Sequence, residues 1–233
     1  SVAATVDGLY LRGGTEVDGG AIFVSGGALT VTASFIYSNT ATNGGALYNQ
    51  AGVVYFASNE VFSNTATDGG ALYGAGGETT LDGNDLHDNE AEANGGAYYH
   101  AGGSGVLQNN IVRDNQAVDG GGFYNGGSDL IVRHNTLYAN VASDEGGGLY
   151  TANGNPSVVS NIFLDNVASA GRAIYGPASL SPTYNNASPG TQAALYGGGV
   201  SPGVGSLIDV DPLLANAPGG NFHLRDDSPV MDK

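Results

Sequence analysis

Apolar residues recur along this chain in three columns that share one period. The repeating unit opens with Gly-Gly-Ala or a close variant at positions 19, 44, 69, 95, 120, 146 and 171, in steps of 25 or 26 residues. A fixed period of this length is the mark of a solenoid. Because alternate residues of a strand face opposite ways, each column predicts the buried side of one strand, and hence three strands per coil. The columns are Ile22, Leu47, Leu72, Tyr98, Phe123, Leu149 and Ile174; Val31, Phe56, Leu81, Leu107, Val132 and Val158; and Ile36, Val61, Leu86, Val112, Leu137 and Phe163.

An asparagine follows the third apolar column by three residues in every coil. The members are Asn39, Asn64, Asn89, Asn115, Asn140 and Asn166. A side-chain amide at a tight corner bonds backbone groups and the amide one coil away, and asparagine tolerates left-handed backbone. The column therefore predicts a structural turn ladder rather than a ligand site. An alanine column two residues later indicates a cramped corner: Ala41, Ala66, Ala91, Ala117, Ala142 and Ala168.

An aromatic column directly follows the first apolar column. It consists of Phe23, Tyr48, Tyr73, Tyr99, Tyr124, Tyr150 and Tyr175. These side chains should face outward and stack at about 4.8 Å per coil. A structural aromatic ladder is the favoured interpretation, and a sugar-stacking face is the alternative.

The repeat predicts one all-β solenoid domain over residues 1–233, with about eight coils of about 25 residues. Residues 1–18 form an incomplete first coil, 19–175 form regular coils, and 176–233 form an irregular, loop-rich C-terminal coil or cap. A leucine-rich repeat has a similar period and is the alternative fold. The Gly-Gly pair in the return segment opposes the helix that such a repeat needs.

The chain is strongly acidic, with a net charge of −16 and only six Lys and Arg residues. This composition lacks the cationic surface of a nucleic-acid-binding protein. No apolar run reaches the roughly 18–20 residues of a membrane span. There is no cysteine, and the first four residues are not a signal peptide. If the protein is exported, its leader has been removed before Ser1.

The repeat resembles the GGAI and FxxN repeats of bacterial polymorphic outer-membrane proteins and autotransporter-like surface proteins. The segments DVDPLL and GGNFHLRDDSPVMD within residues 209–232 are similar to the ending of many secreted right-handed parallel β-helix proteins, and DGLYLRGG at residues 7–14 is similar to their opening coil. The resemblance implies a single-stranded right-handed parallel β-helix at the cell surface or outside the cell. It does not imply one activity, because adhesins, structural proteins and polysaccharide-processing enzymes share this scaffold.

The richest outward cluster of charged residues surrounds the third strand of the central coils. Asp88 and Asp114 occupy equivalent places one coil apart, so their carboxylates could lie within about 5 Å of each other. Paired carboxylates suit acid–base hydrolysis or cation binding. If the chain is an enzyme, the candidate catalytic residues are Asp88, Asp114, Arg113 and His87, with Glu60, Asp85, Arg133 and His134 nearby. The favoured interpretation is a solvated charged face without catalysis.

A second acidic column precedes the Gly-Gly pair and alternates with asparagine. It consists of Asp18, Asn43, Asp68, Asn94, Asp119 and Glu145. Calcium prefers oxygen-rich corners of this type, so Asp68, Asp119 and Glu145 are weak calcium candidates. Turn capping is the favoured interpretation, no cofactor is required, and calcium is the one cofactor that the pattern admits.

The leading functional hypothesis is a non-enzymatic extracellular structural or adhesive solenoid that associates head to tail into a filament. In that hypothesis residues 207–214 of one chain complete the first coil of the next. The alternative is a protein that binds or cleaves a polysaccharide or cell-surface glycan at the charged face. A third possibility is that the chain is a fragment of a longer surface protein whose function lies elsewhere.

Overall fold

The computed structural model describes residues 3–127 and 129–231, so positions 1–2 and 232–233 of the predicted first and last segments lie outside it. The chain winds into a parallel β-solenoid of about eight coils, and each of the coils between residues 19 and 145 contributes four short strands. The expectation of three strands per coil is therefore wrong. Successive coils pair strand on strand, so the four strands of each coil extend four parallel sheets, here called A to D in the order in which a coil visits them.

The sheets are built from strands of two to five residues. Sheet A contains Ala3–Asp7, Ala28–Thr32, Val53–Ala57, Glu78–Asp82, Ser104–Gln108, Asp129–Arg133 and Ser157–Val159. Sheet B contains Tyr10–Arg12, Phe35–Tyr37, Glu60–Phe62, Asp85–His87, Ile111–Arg113, Thr136–Tyr138, Ile162–Leu164, Asn186–Ser188 and Leu207–Ile208. Sheet C contains Thr15–Asp18, Thr40–Asn43, Thr65–Asp68, Glu90–Asn94, Gln116–Ala117 and Val141–Ala142. Sheet D contains Ile22–Val24, Leu47–Asn49, Leu72–Gly74, Tyr98–His100, Phe123–Asn125, Leu149–Thr151, Ile174–Tyr175 and Tyr196–Gly197.

The three apolar columns lie on the inner sides of sheets D, A and B. Phe56, Phe123 and Phe163 are among the largest fully buried side chains. Val6, Leu11 and Ile22 of the first coil are only partly buried against the same core. One coil cannot bury its own apolar face, so stacking creates the core, and each buried side chain contributes roughly 1.5–3 kcal/mol.

The fourth strand of each coil coincides with the alanine column that had indicated only a cramped corner. Ala66, Ala91 and Ala142 are buried on the inner side of sheet C. Because alanine buries little apolar area, this sheet carries a weak hydrophobic signal. Sheet C is also the least regular sheet, since its register shifts between Ala66 and Asp68.

The asparagine column forms a continuous hydrogen-bonded ladder at the corner between sheets B and C. The Asn89 Oδ1 accepts from the backbone N–H and from the Nδ2 of Asn64, at 3.1 and 3.0 Å. The Asn89 Nδ2 donates to the Val61 carbonyl and to the Asn115 Oδ1, at 2.9 and 3.0 Å. Each amide thereby satisfies backbone groups that the turn leaves without a strand partner.

A second ladder, which the sequence analysis missed, lies at the corner between sheets A and B. Its members are Asn59, Asn84, Asn110, Asn135, Asn161 and Asn185. Serine hydroxyls continue it at both ends, since Ser34 accepts from the Leu9 N–H and Ser206 from the Asn185 N–H. In both ladders the left-handed conformation belongs to the residue before the asparagine, for example Ser63 at φ 53° and Asp88 at φ 52°.

The segments outside the regular coils also join the solenoid. Residues 3–18 supply strands to sheets A, B and C, so this first segment contains three of the four strand positions. Leu207–Ile208 is the ninth strand of sheet B and pairs with Asn186–Ala187 of its own chain. In this fold, only the outer edge of that strand is left to meet another chain.

The tail then turns back along the side of the rod. It forms an antiparallel hairpin of Leu214–Asn216 and Asn221–Leu224 around the 3₁₀ turn Ala217–Gly219. Phe222 packs edge-on against Tyr138 of sheet B, with ring centroids 5.6 Å apart. The tail therefore covers part of an outer face, whereas the sequence had suggested a cover for the end of the rod.

The short helix Gln192–Leu195 is the one α-helix among the described residues. No helix in that part of the chain is long and apolar enough to cross a membrane.

The two ladders should contribute comparably to stability. We expect Asn115→Ala and Asn110→Ala each to lower the free energy of unfolding by about 1–3 kcal/mol, because each leaves buried backbone groups unsatisfied. Denaturant unfolding followed by circular dichroism measures the change, with Gln116→Ala at an exposed position as the control. An unchanged free energy of unfolding in Asn110→Ala would contradict a stabilising role for the second ladder.

Candidate functional site

The predicted catalytic residues lie on the outer face of sheet B, where they pair with one another. The His87 ring lies between two carboxylates, with its Nε2 3.2 Å from Glu60 Oε1 and its Nδ1 2.8 Å from Asp88 Oδ2. His87 is nearly buried and stacks on Phe62, with centroids 5.1 Å apart. Its two nitrogens are therefore engaged within the face.

The second half of this cluster is centred on Arg113. Its guanidinium makes a two-pronged contact with Asp85, at 3.2 and 3.1 Å, and a longer one of 3.5 Å with Asp114. Partial burial favours the neutral form, but the surrounding carboxylates outweigh it and raise the pKa of Arg113 above its ordinary value. Arg113 thus stays cationic and is unsuited to the role of a catalytic base.

The corner geometry explains why Asp88 and Asp114 are where they are. Both residues have left-handed backbone, at φ 52° and 56°, and each directly precedes a ladder asparagine. Aspartate and asparagine adopt this conformation more readily than most residues. His134 takes the same conformation before Asn135, and Arg133 bonds the Gln108 side chain instead of joining the cluster.

The acid–amide column forms hydrogen bonds between coils at the corner before sheet D. Asn43 donates to Asp18 at 2.7 Å, and Asn94 donates to Asp68 at 2.8 Å. Asp119 accepts from the Glu145 backbone N–H at 3.1 Å, and its pKa is raised chiefly by partial burial. Within residues 3–127 and 129–231, no three acidic or histidine side chains are grouped in a way that could hold a metal ion. Members of this column therefore bond one another from coil to coil.

The aromatic column forms an unbroken outward stack on sheet D. From Phe23 to Tyr175, ring centroids of successive coils lie 4.7 to 5.6 Å apart, with the planes at 3° to 23°. The rings lie face to face, so each covers the face of its neighbour. Only ring edges and hydroxyl groups point away from the rod within the stack, whereas sugar stacking needs an open ring face.

The tyrosine stack runs beside the acid–amide column, which affects its ionisation. Burial, the neighbouring tyrosines and the carboxylates of Asp119 and Asp68 raise the pKa of Tyr124 to about 12. Burial, the neighbouring tyrosines and the carboxylates of Asp68 and Asp18 raise the pKa of Tyr73 further still. The column therefore keeps its phenols neutral well above physiological pH.

A buried polar cluster that the sequence analysis did not identify lies inside the rod, between sheets D and A. The hydroxyl of Tyr98 contacts the His100 Nδ1 at 3.2 Å, and Asn49 donates to the Thr79 hydroxyl at 3.0 Å. A Cβ on Gly74 would overlap the Tyr98 hydroxyl, so this glycine makes room for the ring. These side chains face the core and are inaccessible to a macromolecular ligand.

Comparison with known proteins identifies the architecture. A family model described as a right-handed beta helix region matches residues 20–187. No curated protein and no solved structure matches the chain.

The tyrosine stack should make stability fall in alkaline solution. A phenol whose pKa is raised in the folded state stabilises the fold below its ordinary pKa of about 10. That contribution is lost as the pH rises through about 12, the folded value for Tyr124. Between about pH 10 and pH 12 the melting midpoint should fall. We expect Tyr124→Phe to reduce this fall, because phenylalanine keeps the ring and lacks the ionising hydroxyl group.

Tyr55→Phe, outside the stack, is the matched control for this comparison. Melting followed by circular dichroism between neutral pH and pH 12 measures the effect. An alkaline loss that is the same in wild type and Tyr124→Phe would contradict the role given to this phenol.

Proposed function

Since the chain belongs to the right-handed β-helix family, we propose that it is a non-enzymatic structural or adhesive solenoid that is exposed outside the cell. The family scaffold is compatible with enzymes and non-enzymes alike. The outer surfaces of this rod favour a protein that is not an enzyme.

The observation that carries the proposal is the uniformity of the coils. Between residues 19 and 171 every coil spans 25 or 26 residues, so no coil there carries an inserted loop that could rise to build a cleft. Two amide ladders and one aromatic stack run through these coils without interruption. These features favour a stiff, smooth rod, which suits a spacer or an adhesive stalk.

The external location is supported by the resemblance of the repeat to bacterial surface proteins. The absence of cysteine and the acidic charge of −16 are compatible with it. Head-to-tail association into a filament remains part of the proposal, because a stiff rod whose strands all run parallel can extend by stacking end on end.

Polysaccharide binding or cleavage at the charged face is the second candidate. It is favoured by the concentration of ionisable groups around His87 and Arg113, and opposed by their pairing. His87 is engaged on both nitrogens, and Arg113 remains charged. His87 could act as a base only after giving up a contact with Glu60 or Asp88, and Arg113 keeps its proton.

The location is tested by immunogold labelling of intact and permeabilised source cells with antibodies against the purified chain. We expect equal labelling of both, because the epitopes lie outside the membrane. Negative-stain microscopy of the purified chain reports whether rods are single or joined end to end. Labelling that appears only after permeabilisation would overturn the external location.

The enzymatic alternative is tested by the double variant Asp88→Asn, Asp114→Asn. Asparagine is compatible with the left-handed backbone of both corners, so the fold should persist. We expect neither the wild type nor the double variant to depolymerise acidic or neutral polysaccharides in a reducing-end assay. Cleavage by the wild type that vanishes in the double variant would overturn the non-enzymatic proposal.

A further inference from the structure

The tail hairpin and the outer face of sheet B enclose a cleft of about 400 Å³. This volume lies within the range of small-molecule sites. The cleft forms where the repeat has ended and the chain folds back on itself. It adjoins the charged face of the central coils, since Tyr138 pairs in register with Arg113, and it is separate from the tyrosine stack.

The floor of the cleft is formed by outward residues of successive coils. Tyr138, Leu164 and Ser188 stand in register on neighbouring strands of sheet B. Ser188 is 95% buried, at 5% exposure, and its hydroxyl has no hydrogen-bond partner among the described residues. Buried hydroxyl groups nearly always have a partner, so this one indicates a group that binds in the cleft.

The walls of the cleft carry negative charge without a compensating cation. Asp165, Asp209 and Asp211 line it, and none of the described residues that line it is Lys, Arg or His. One oxygen of Asp209 accepts from the Gly190 N–H, and one of Asp211 accepts from the Leu213 N–H. Each of these two carboxylates keeps its second oxygen for another donor. Partial burial, and then the charge of Asp211, raise the pKa of Asp165.

The remaining lining is apolar. Leu164, Leu214 and Pro218 contribute hydrocarbon surface beside the Tyr138 ring. The occupant should therefore combine a positive group that donates hydrogen bonds with an apolar stem. A bare metal ion fits poorly, since no three carboxylates within the described part of the chain are grouped to ligate one.

We propose that this cleft binds an organic cation, namely a primary ammonium group carried on an aliphatic stem. The ammonium lies beside the carboxylates of Asp165 and Asp211, whose charges are close enough to influence each other, and donates to the Ser188 hydroxyl. The stem contacts Tyr138, Leu164 and Leu214, and an ammonium beside an aromatic ring gains a further favourable interaction. The same chemistry occurs in a lysine side chain, a polyamine and an amino sugar.

The test uses the full chain and a matched pair of probes in isothermal titration calorimetry. Pentylamine and pentanol have the same stem and differ in charge. We expect saturable binding of pentylamine that weakens with added salt, and no measurable binding of pentanol. Spermidine, trilysine and a glucosamine disaccharide then distinguish the three sources by their relative affinities.

Variants connect the binding to the cleft. Asp165→Asn and Asp211→Asn should each weaken pentylamine binding about tenfold, the scale expected for losing a hydrogen bond to a charged group. Ser188→Ala should weaken it by a smaller factor. The matched control is Asp88→Asn, which makes the same change at an equivalent corner further from the cleft. Asparagine is compatible with the left-handed backbone of Asp88, at φ 52°, and of Asp165, at φ 55°, and circular dichroism checks that each variant is folded.

Four results would overturn the proposal. They are equal binding of pentylamine and pentanol, no saturable binding of pentylamine, tighter binding of calcium than of any amine, and equal weakening by Asp88→Asn and Asp165→Asn. The last would show that the overall acidity of the chain, and not the cleft, attracts the amine.

Discussion

The rest of this structure depends on the hydrogen bonds that asparagine side chains make from coil to coil at two of the corners. Strands satisfy their backbone groups through the sheets, but a sharp corner leaves some groups without strand partners. Asn64 and Asn59 illustrate the solution, since each amide bonds a carbonyl of the preceding coil and the amide of the next. The corners therefore stack in register, and this register in turn aligns the apolar columns inside and the tyrosines outside.

The left-handed backbone that the corners require also determines which residues lie on the outer face of sheet B. Each ladder asparagine is preceded by a residue with left-handed backbone, a position that favours Asp, Asn, Ser and Gly. Asp88 and Asp114 occupy such positions, so their recurrence one coil apart has a conformational cause that is independent of catalysis. His87 and Arg113 then lie beside them, and each contacts the neighbouring aspartate carboxylate. A cluster that looks catalytic in sequence can thus arise from turn geometry followed by charge pairing.

Much of the fold could be predicted because large apolar residues repeat in strict columns. The fourth strand could not, since its inward residues are alanines such as Ala91, whose burial leaves little trace in the pattern. The second ladder was missed because Asn84 and its equivalents directly precede sheet B strands, and Ser34 interrupts the column.

The cleft could not be predicted from the sequence for a different reason. Tyr138 and Asp211 are far apart in sequence and meet only because the tail folds back, which no periodicity records.

The same regularity that stiffens the rod decides where a binding site can form. Stacked tyrosines cover one another, and alternating acids and amides bond one another, so the regular coils present surfaces whose groups are already partnered. In the outward column of sheet B, the buried hydroxyl without a partner comes where the repeat ends. This break in the repeat comes after the regular coils, where Leu164 gives way to Ser188 in the outward column and the hairpin closes over both. The buried Ser188 hydroxyl and the uncompensated Asp165 lie at this junction. A solenoid of this kind can therefore divide its tasks, with a rigid body set by the ladders and recognition confined to the segment that departs from them.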